Sequence, residues 1–391
     1  MRVLHLGKFF PPHPGGIERT SAELADALAA HGVTSALLAH AEPRTWRSRA
    51  LRVGDTEVVL AACLGQCLYA PLSPTFPWLL RREIRRFRPD LLHLHLPNTS
   101  ALWALALPCA RRVPWIVHWH ADIPRDSARR ALRAAYRLYR PAEQALLARA
   151  RAVIATSAPY LESSAALAPW RAKTRVIPLG IPPAPPPRAS AAPLAWPAPG
   201  LRLLAVGRAS YFKGFDVLLR ALAGVADASL LLIGDGEALP ALRALARSLG
   251  VAARVRFAGR CDLDAAGQAT LAAAYAQAEV FCLPSTERAE SFGLVLLEAM
   301  RAGVPTIASA IPGSGVGFVV RDGETGVLVP PGDAAALAAA IRRLGADADL
   351  RRRLGEAGQR RWRAEFTLET SALRVLALYR DVLASDRLAA A

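Results

Sequence analysis

Lysine is nearly missing from this chain. Of 49 cationic residues only Lys8, Lys173 and Lys213 are lysine. Abundant arginine and alanine can follow from genomic base composition, so the arginines alone say little. A lysine kept against that background points to a chemical requirement. The five cysteines (Cys63, Cys67, Cys109, Cys261, Cys282) are odd in number and lack paired spacing. That excludes a disulfide framework and reads as reduced, mostly core residues. Cys63-x3-Cys67 has the spacing of half a metal site, but no second half appears, so it is not read as one. No run of about 18 uncharged apolar residues occurs, which excludes a membrane-spanning helix. The first residues enter a strand with no signal-peptide pattern, so a cytoplasmic chain is expected. No G-x-G-x-x-G follows the first strand, so "GDG" at 234–236 is no dinucleotide fingerprint. No internal repeat is found.

Acidic residues are scarce in one half only. Residues 1–199 hold 26 Arg and Lys against 12 Asp and Glu; residues 200–391 hold 23 against 20. The first half thus carries +14 of the net +17, an asymmetry that suits an anionic partner. All eight histidines (5, 13, 31, 40, 93, 95, 118, 120) lie there too.

With 391 residues, 53% of them hydrophobic, the chain has material for two or three domains. The strand-like runs "RVLHL", "TSALLAH", "EVVLAA", "DLLHLHL", "WIVHWH" and "AVIATS" alternate with helical patterns at "GIERTSAELADALAAHG", "TFPWLLRREIRRFRP" and about 125–150. Such alternation predicts a parallel sheet covered on both faces. The proline-dense stretch 178–200 interrupts it as a stiff linker. The alternation then restarts with "LRLLAVG", "ASLLLIGDG", "ARVRFAG", "AEVFCLPS", "PTIAS" and "TGVLVPP". Two doubly wound α/β domains are therefore expected, 1–181 and 200–370, joined by a linker at 182–199. A helical tail at 371–391 is expected, with packing back onto the N-terminal domain as one option. Ligands of such folds sit at the carboxyl ends of strands, at switch points, and a cleft between two domains is the usual place for one.

In "AVGRASYFKGFDVLL" (205–219), Arg208 and Lys213 follow a strand end. Two cations in one such loop can clamp a diphosphate, the fork of arginine beside the point charge of lysine. In "PSTERAESFGLVLLEAMRAG" (284–303), Glu290 precedes a helix whose first turn is expected at Ser291 to Leu294. Amides at Phe292, Gly293 and Leu294 then make an anion site, with Gly293 allowing close approach. Glu290 reads equally well as a complement to the helix dipole. "IVHWHAD" ends an N-terminal strand with His118 and His120 on one face, while His93 and His95 in "LLHLHLP" read as strand-end structure. "CDLDAAG" (261–267) holds Asp-x-Asp, but Asp264 opens a helix and reads as its N-cap; no metal is expected.

"ESFGLVLLE" resembles the Glu-x7-Glu motif of retaining, nucleotide-sugar-dependent glycosyltransferases of family 4, which have the GT-B fold. "GKFFPPHPGGIER", "VGR…KGFDVLL", "LIGDGEALPALRALA", "FAGR" and "EAMRAGVPTIAS…GETGVLVPPGD" resemble that family in the same order, over essentially the whole chain. The resemblance implies two Rossmann-like domains facing across a cleft, and transfer of a hexose from a nucleotide diphosphate sugar to a glycan or lipid-linked acceptor. It places Glu290 and His120 at the donor sugar as catalytic residues. Donor contacts fall on Gly15, Gly16, Arg208, Lys213, Gly234, Arg260, Phe292, Gly293, Leu294 and Glu298, the last at the ribose. It implies no metal and no further cofactor. Many relatives carry an acidic residue soon after "TIAS"; "AIPGSGVGFV" has none. The local "HWHAD" and "ERAESFG" resemble bacterial surface-polysaccharide mannosyltransferases, so GDP-mannose is the first donor expected and a UDP-hexose the second. A nucleotide-sugar epimerase is a rival of the same fold. A basic nucleic-acid-binding protein is a rival of another class, for which no motif speaks. Arginine stripes on "LLRREIRRFR" and at Arg129, Arg133, Arg137 and Arg140 read equally well as solvated helix faces or as contacts to an anionic partner, a membrane face or an anionic lipid-linked acceptor.

Overall fold

Apolar runs flanked by amphipathic stretches become strands flanked by helices in the computed structural model, which describes residues 1–13, 15–123, 130–184, 195–261 and 264–390. The chain divides into two units, residues 1–180 with 368–391, and residues 181–367.

The first unit runs β1 (Arg2–Leu6), α1 (Gly16–Ala29), β2 (Thr34–His40), β3 (Arg49–Val53), β4 (Thr56–Ala61), β5 (Gly65–Cys67), β6 (Ala70–Leu72), α2 (Phe76–Phe87), β7 (Leu91–Leu96), α3 (Trp103–Ala106), α4 (Pro108–Arg111), β8 (Trp115–Trp119), α5 (Arg130–Arg149), β9 (Ala152–Ala155), α6 (Ala158–Ser163) and β10 (Thr174–Val176). Its sheet has the order β10-β9-β8-β7-β1-β2-β4-β3. Every pair is parallel except β3 with β4. Strand order reverses between β1 and β7, the switch point where such sheets hold ligands. The pleat sends Leu4, Leu6, Leu92, Leu94, Leu96, Val117 and Trp119 into one core, with Phe76, Leu79, Leu80 and Ile84 of α2 packed there. On α2 these fall at helical spacing, and Arg81, Arg82, Arg85 and Arg86 are left exposed. Each such buried leucine contributes roughly 1.5–3 kcal/mol.

The other face of the sheet starts apolar, with Val3, Leu91 and Ile116, and is covered by Leu24 and Leu28 of α1. The C-terminal helix adds Ala372, Val375, Leu376, Tyr379 and Val382 to this core.

The second unit runs β11 (Leu201–Val206), α7 (Phe215–Ala223), β12 (Ala228–Ile233), α8 (Leu239–Ser248), β13 (Val255–Gly259), α9 (Ala265–Gln277), β14 (Val280–Leu283), α10 (Leu294–Arg301), β15 (Thr306–Ser309), α11 (Val316–Val319), β16 (Gly326–Val329), α12 (Ala334–Ala346) and α13 (Ala348–Glu365). Its six strands are all parallel, in the order β13-β12-β11-β14-β15-β16, with the reversal between β11 and β14. The last helix, α14 (Leu368–Ala390), returns to the first unit, where the Ser371 hydroxyl donates to the Pro178 carbonyl at 2.9 Å. Among the described residues no helix is long and apolar enough to cross a membrane, and all five cysteines are free.

Candidate active site

Two loops meet at the switch point of the second unit. After β11 the chain passes Gly207 and Arg208 to a short turn (Tyr211–Lys213) and enters α7 at Gly214. After β14 it passes Ser285 and Glu290 and enters α10. Lys213 Nζ donates to Glu290 Oε2 at 2.6 Å, with only 13% and 10% of the two side chains exposed. The Ser285 hydroxyl donates to the same oxygen at 2.9 Å. A charge pair this buried needs such a second donor, because its desolvation is not repaid by Coulomb attraction alone.

Glycines let the loops approach. Gly214 has φ +64°, and a Cβ there would lie 2.0 Å from the Pro284 carbonyl oxygen. Gly234 has φ +147°, and a Cβ there would lie 1.8 Å from the Gly207 carbonyl oxygen. Gly234 is thus required by backbone packing between two strand ends, whatever else it touches. The segment after β15 pins Glu290 from the other side. The Ser314 hydroxyl donates to the Glu290 carbonyl, Gly315 N to the Ser291 carbonyl at 2.8 Å, and Arg288 Nε to the Gly313 carbonyl at 3.0 Å. Sequence reading saw in "AIPGSGVGFV" only a missing acid; its hydroxyl and backbone groups build the site instead.

The helix after Glu290 begins at Leu294, not Ser291, because Gly293 at its N-cap has φ +81° and cannot belong to a right-handed helix. Ser291 and Phe292 therefore lie outside the first turn. Phe292 is buried, edge-on to Phe366 at 6.2 Å, and anchors the turn. Of the three residues expected to offer first-turn amides, Leu294 alone is helical. Further along α10, Glu298 is buried and accepts from the Tyr275 hydroxyl at 2.9 Å. Arg208 pairs with Glu237 at 3.3 Å, both largely exposed. Arg260, beyond the end of β13, is exposed. Asp264 caps α9, accepting from Gly267 N at 2.8 Å; Asp262 lies outside the described residues.

In the first unit Gly15 is the N-cap of α1, with extended backbone (φ 170°). A Cβ there would lie 1.9 Å from Glu18 Oε2. The paired glycine thus has a local partner: the Glu18 carboxylate folds back over it, and burial pushes that carboxyl up from its usual range. Gly16 is exposed at the start of the helix.

His120, at the end of β8, is buried, and its Nε2 lies 3.0 Å from His95 Nδ1. It joins a group of histidines drawn from β1, β7 and β8. His5 and His93 face each other across β1 and β7, and His95 and His118 across β7 and β8. With His120 they make five buried rings on one face of the sheet, His118 stacking on His120 at 4.2 Å between centroids. His95 Nε2 lies 3.2 Å from His5 Nδ1, and His93 Nδ1 lies 2.5 Å from the Tyr379 hydroxyl. Burial pushes His5 and His120 down to about 3 and the other three well below their usual value, so all five are neutral at pH 7. The signal was available in alternate-position histidines on three strands, but only strand order shows that they meet.

The family described as "Glycosyl transferases group 1" matches residues 189–361, and "Glycosyl transferase 4-like domain" matches residues 15–180. The chain is 32% identical to the phosphatidyl-myo-inositol mannosyltransferase of Mycobacterium leprae, covering 95% of this chain and 94% of that protein. It is 28% identical to the O-antigen chain mannosyltransferase C of Escherichia coli, over 98% and 100%. Among solved structures, a sucrose-phosphate synthase from Thermosynechococcus elongatus superposes with a TM-score of 0.78 at 28% identity, over 98% and 100% of the two chains. With two doubly wound sheets, a strand-end site in each unit and matches that span both, the chain belongs to the group 1, family 4-like glycosyltransferases of GT-B fold.

Proposed function

We propose that the protein is a retaining hexosyltransferase. It moves mannose from GDP-mannose to a hydroxyl of a glycan or lipid-linked acceptor in cell-surface polysaccharide synthesis, with a UDP-hexose as the second donor to test. The observation that carries this reading is the buried Lys213–Glu290 pair, built from two loops at a switch point and held by Ser285.

In this reading the bond from the sugar's anomeric carbon to the diphosphate breaks, and the acceptor oxygen bonds to that carbon on the same face. The acceptor proton passes to the departing phosphate. Negative charge grows on the diphosphate, where Lys213 meets it without a metal. An ammonium has three donors, so Lys213 can keep Glu290 and take a phosphate oxygen as well. Arg208 leaves its exposed partner Glu237 at little cost, because such surface pairs are worth about 0–1 kcal/mol. Glu290 orients sugar hydroxyls and opposes the positive charge that develops on the sugar. Gly234, Arg260, Gly293 and Leu294 remain proposed donor contacts, as do Gly15 and Gly16, and Glu298 is assigned to the ribose. For His120 the role is narrower: with Nε2 committed to His95, Nδ1 is left for a sugar hydroxyl.

Two mannosyltransferases among the relatives support the donor, and the phosphatidyl-inositol acceptor in the name of one supports a lipid-linked acceptor. Attachment to the cytoplasmic membrane face is proposed through α2. Arg82 and Arg86 are partly neutralised by Glu83, and Arg86 by Glu57 as well, so Arg81 and Arg85, with exposed Trp78 nearby, are the groups to meet lipid. The test is transfer from a panel of nucleotide sugars to a polyprenyl-linked glycan, with the product anomer read by NMR. Mannose transferred from GDP-mannose with an α linkage is the expected product. An inverted anomer overturns retention, and transfer from UDP-sugars alone overturns the donor.

A further inference from the structure

Sugar transfer uses at most one edge of His120 and leaves the rest of the histidine cluster without a task. Buried polar atoms are normally hydrogen-bonded. Here His118 has neither Nδ1 nor Nε2 partnered, although the residue is 1% exposed, and His5 Nε2 and His93 Nε2 are also without partners. Four unpartnered ring nitrogens of neutral histidine in an apolar core would cost stability for no return unless something binds them.

We infer that His95, His118 and His120 form a binding site for one divalent d-block cation of the Zn²⁺ class. Their ligand nitrogens all lie within 4.8 Å of one another. Metal–nitrogen bonds of about 2.0–2.1 Å in a tetrahedron put neighbouring ligand atoms roughly 3.3 Å apart. The 3.0 Å between His95 Nδ1 and His120 Nε2 is already close to that edge. Their shared hydrogen bond gives way to two metal bonds when each ring carries its proton on the other nitrogen. For His95 that other nitrogen is Nε2, 3.2 Å from His5 Nδ1, so His95 Nε2–H donates a hydrogen bond to His5 Nδ1, which fixes the tautomer. Metal-bound histidines are commonly held this way by a second layer of acceptors. His118 supplies one ligand nitrogen to the set, and neither of its nitrogens has another partner to give up.

The donor set selects the ion. Three imidazoles with no carboxylate suit Zn²⁺, Co²⁺, Ni²⁺ or Cu²⁺ and disfavour Mg²⁺ and Ca²⁺, which want oxygen. Three protein ligands leave a fourth position for water or a substrate oxygen, the pattern of open rather than purely structural sites. The site lies wholly within the first unit and departs from the metal-free chain expected from the sequence.

The test uses full-length protein stripped with chelator and titrated with Co²⁺, then Zn²⁺, reading the visible d–d band of Co²⁺ and bound metal per chain. One equivalent per chain, with the intense band of a tetrahedral site, is expected. His118→Gln should weaken binding at least a hundredfold. His5→Leu, which removes only the acceptor behind His95, should weaken it about 10–100-fold. His31→Gln, at a half-buried histidine beside Glu369 and outside the cluster, should leave it unchanged. Binding absent from the parent, or equal in His118→Gln, overturns the site. Should His118→Gln fail to fold, X-ray absorption of the Co²⁺-loaded parent decides: a first shell with fewer than three imidazoles overturns it. These readings do not depend on sugar transfer, so they stand or fall apart from the donor assignment.

Discussion

The two units share one design and fill it with opposite chemistry. Each reverses strand order beside its first strand, at β1/β7 and at β11/β14. At the first reversal lies a stack of neutral imidazoles; at the second lies an ion pair framed by glycine turns. Residues 181–367 contain no histidine at all. A switch point thus supplies a place, and the residues at the strand ends decide whether that place offers lone pairs or charge. The second unit holds a buried pair of opposite charges, the group proposed to meet a charged leaving group. The first holds groups that stay uncharged.

Acid should separate the units most strongly. An unfolded histidine takes a proton near 6.5, while His40 in the folded unit resists until about 4, His5 and His120 until about 3, and His93, His95 and His118 until well below their usual value. Between those limits the unfolded chain binds more protons, so stability is full above pH 6.5 and falls as the pH drops below it. Each histidine can remove up to about 1.4 kcal/mol per pH unit. In chelator-treated protein at pH 5.5, hydrogen exchange should show the first unit opening well before the second. Simultaneous loss of protection in both would erase the contrast.

The next effect falls on the second unit. Lys213→Ala strands a buried carboxylate and should cost about 3–5 kcal/mol of that unit's stability. Adding Glu290→Gln should recover much of it. A Lys213→Ala protein that melts like the parent would mean that the pair is not buried in solution.

Catalysis should split the two glutamates. Glu290→Gln should lower turnover about 10²–10³-fold with nucleoside diphosphate affinity little changed. Glu298→Gln should mainly weaken nucleotide binding, since the Tyr275 hydroxyl can still meet the amide. Calorimetric affinity and sugar transfer measured on both variants check this. Near-normal turnover in Glu290→Gln reduces that residue to a helix-end charge.

The smallest expected change is at Arg208. Arg208→Ala should weaken nucleoside diphosphate binding about tenfold, as loss of one charge-assisted contact. The affinity of the parent for the diphosphate should be the same in EDTA and in Mg²⁺. Dependence on Mg²⁺ would bring a metal to the second unit and make the two units alike in that respect.

Much of the fold could be read in advance because both sheets are parallel and buried, which prints strands as apolar runs. β3 could not: its five residues are exposed or half-buried on an antiparallel edge, so "RALRV" has no apolar run to show. The start of α10 was misplaced because a glycine permits both a helical and a left-handed conformation, and only packing around Phe292 decides. Lys213 and Glu290 stood out in the sequence, but their pairing, 77 residues apart, did not. The histidines were legible one by one; their register across β1, β7 and β8 was not.

The helix α14 makes the second unit an insertion within the first, since the chain leaves one core at Gly180 and re-enters it at Leu368. A ribosome delivers residues in order, at about 5–20 per second. The unit begun first must therefore wait through 187 residues for Val375, Tyr379 and Val382. The second unit is synthesised whole before its host can close. Until then the face bearing Val3, Leu24 and Ile116 is open to any apolar chain nearby, and His93 lacks its tyrosine. A stop codon just ahead of Leu368 would spare every residue assigned to the donor, and would still leave the imidazole face of the molecule unfinished.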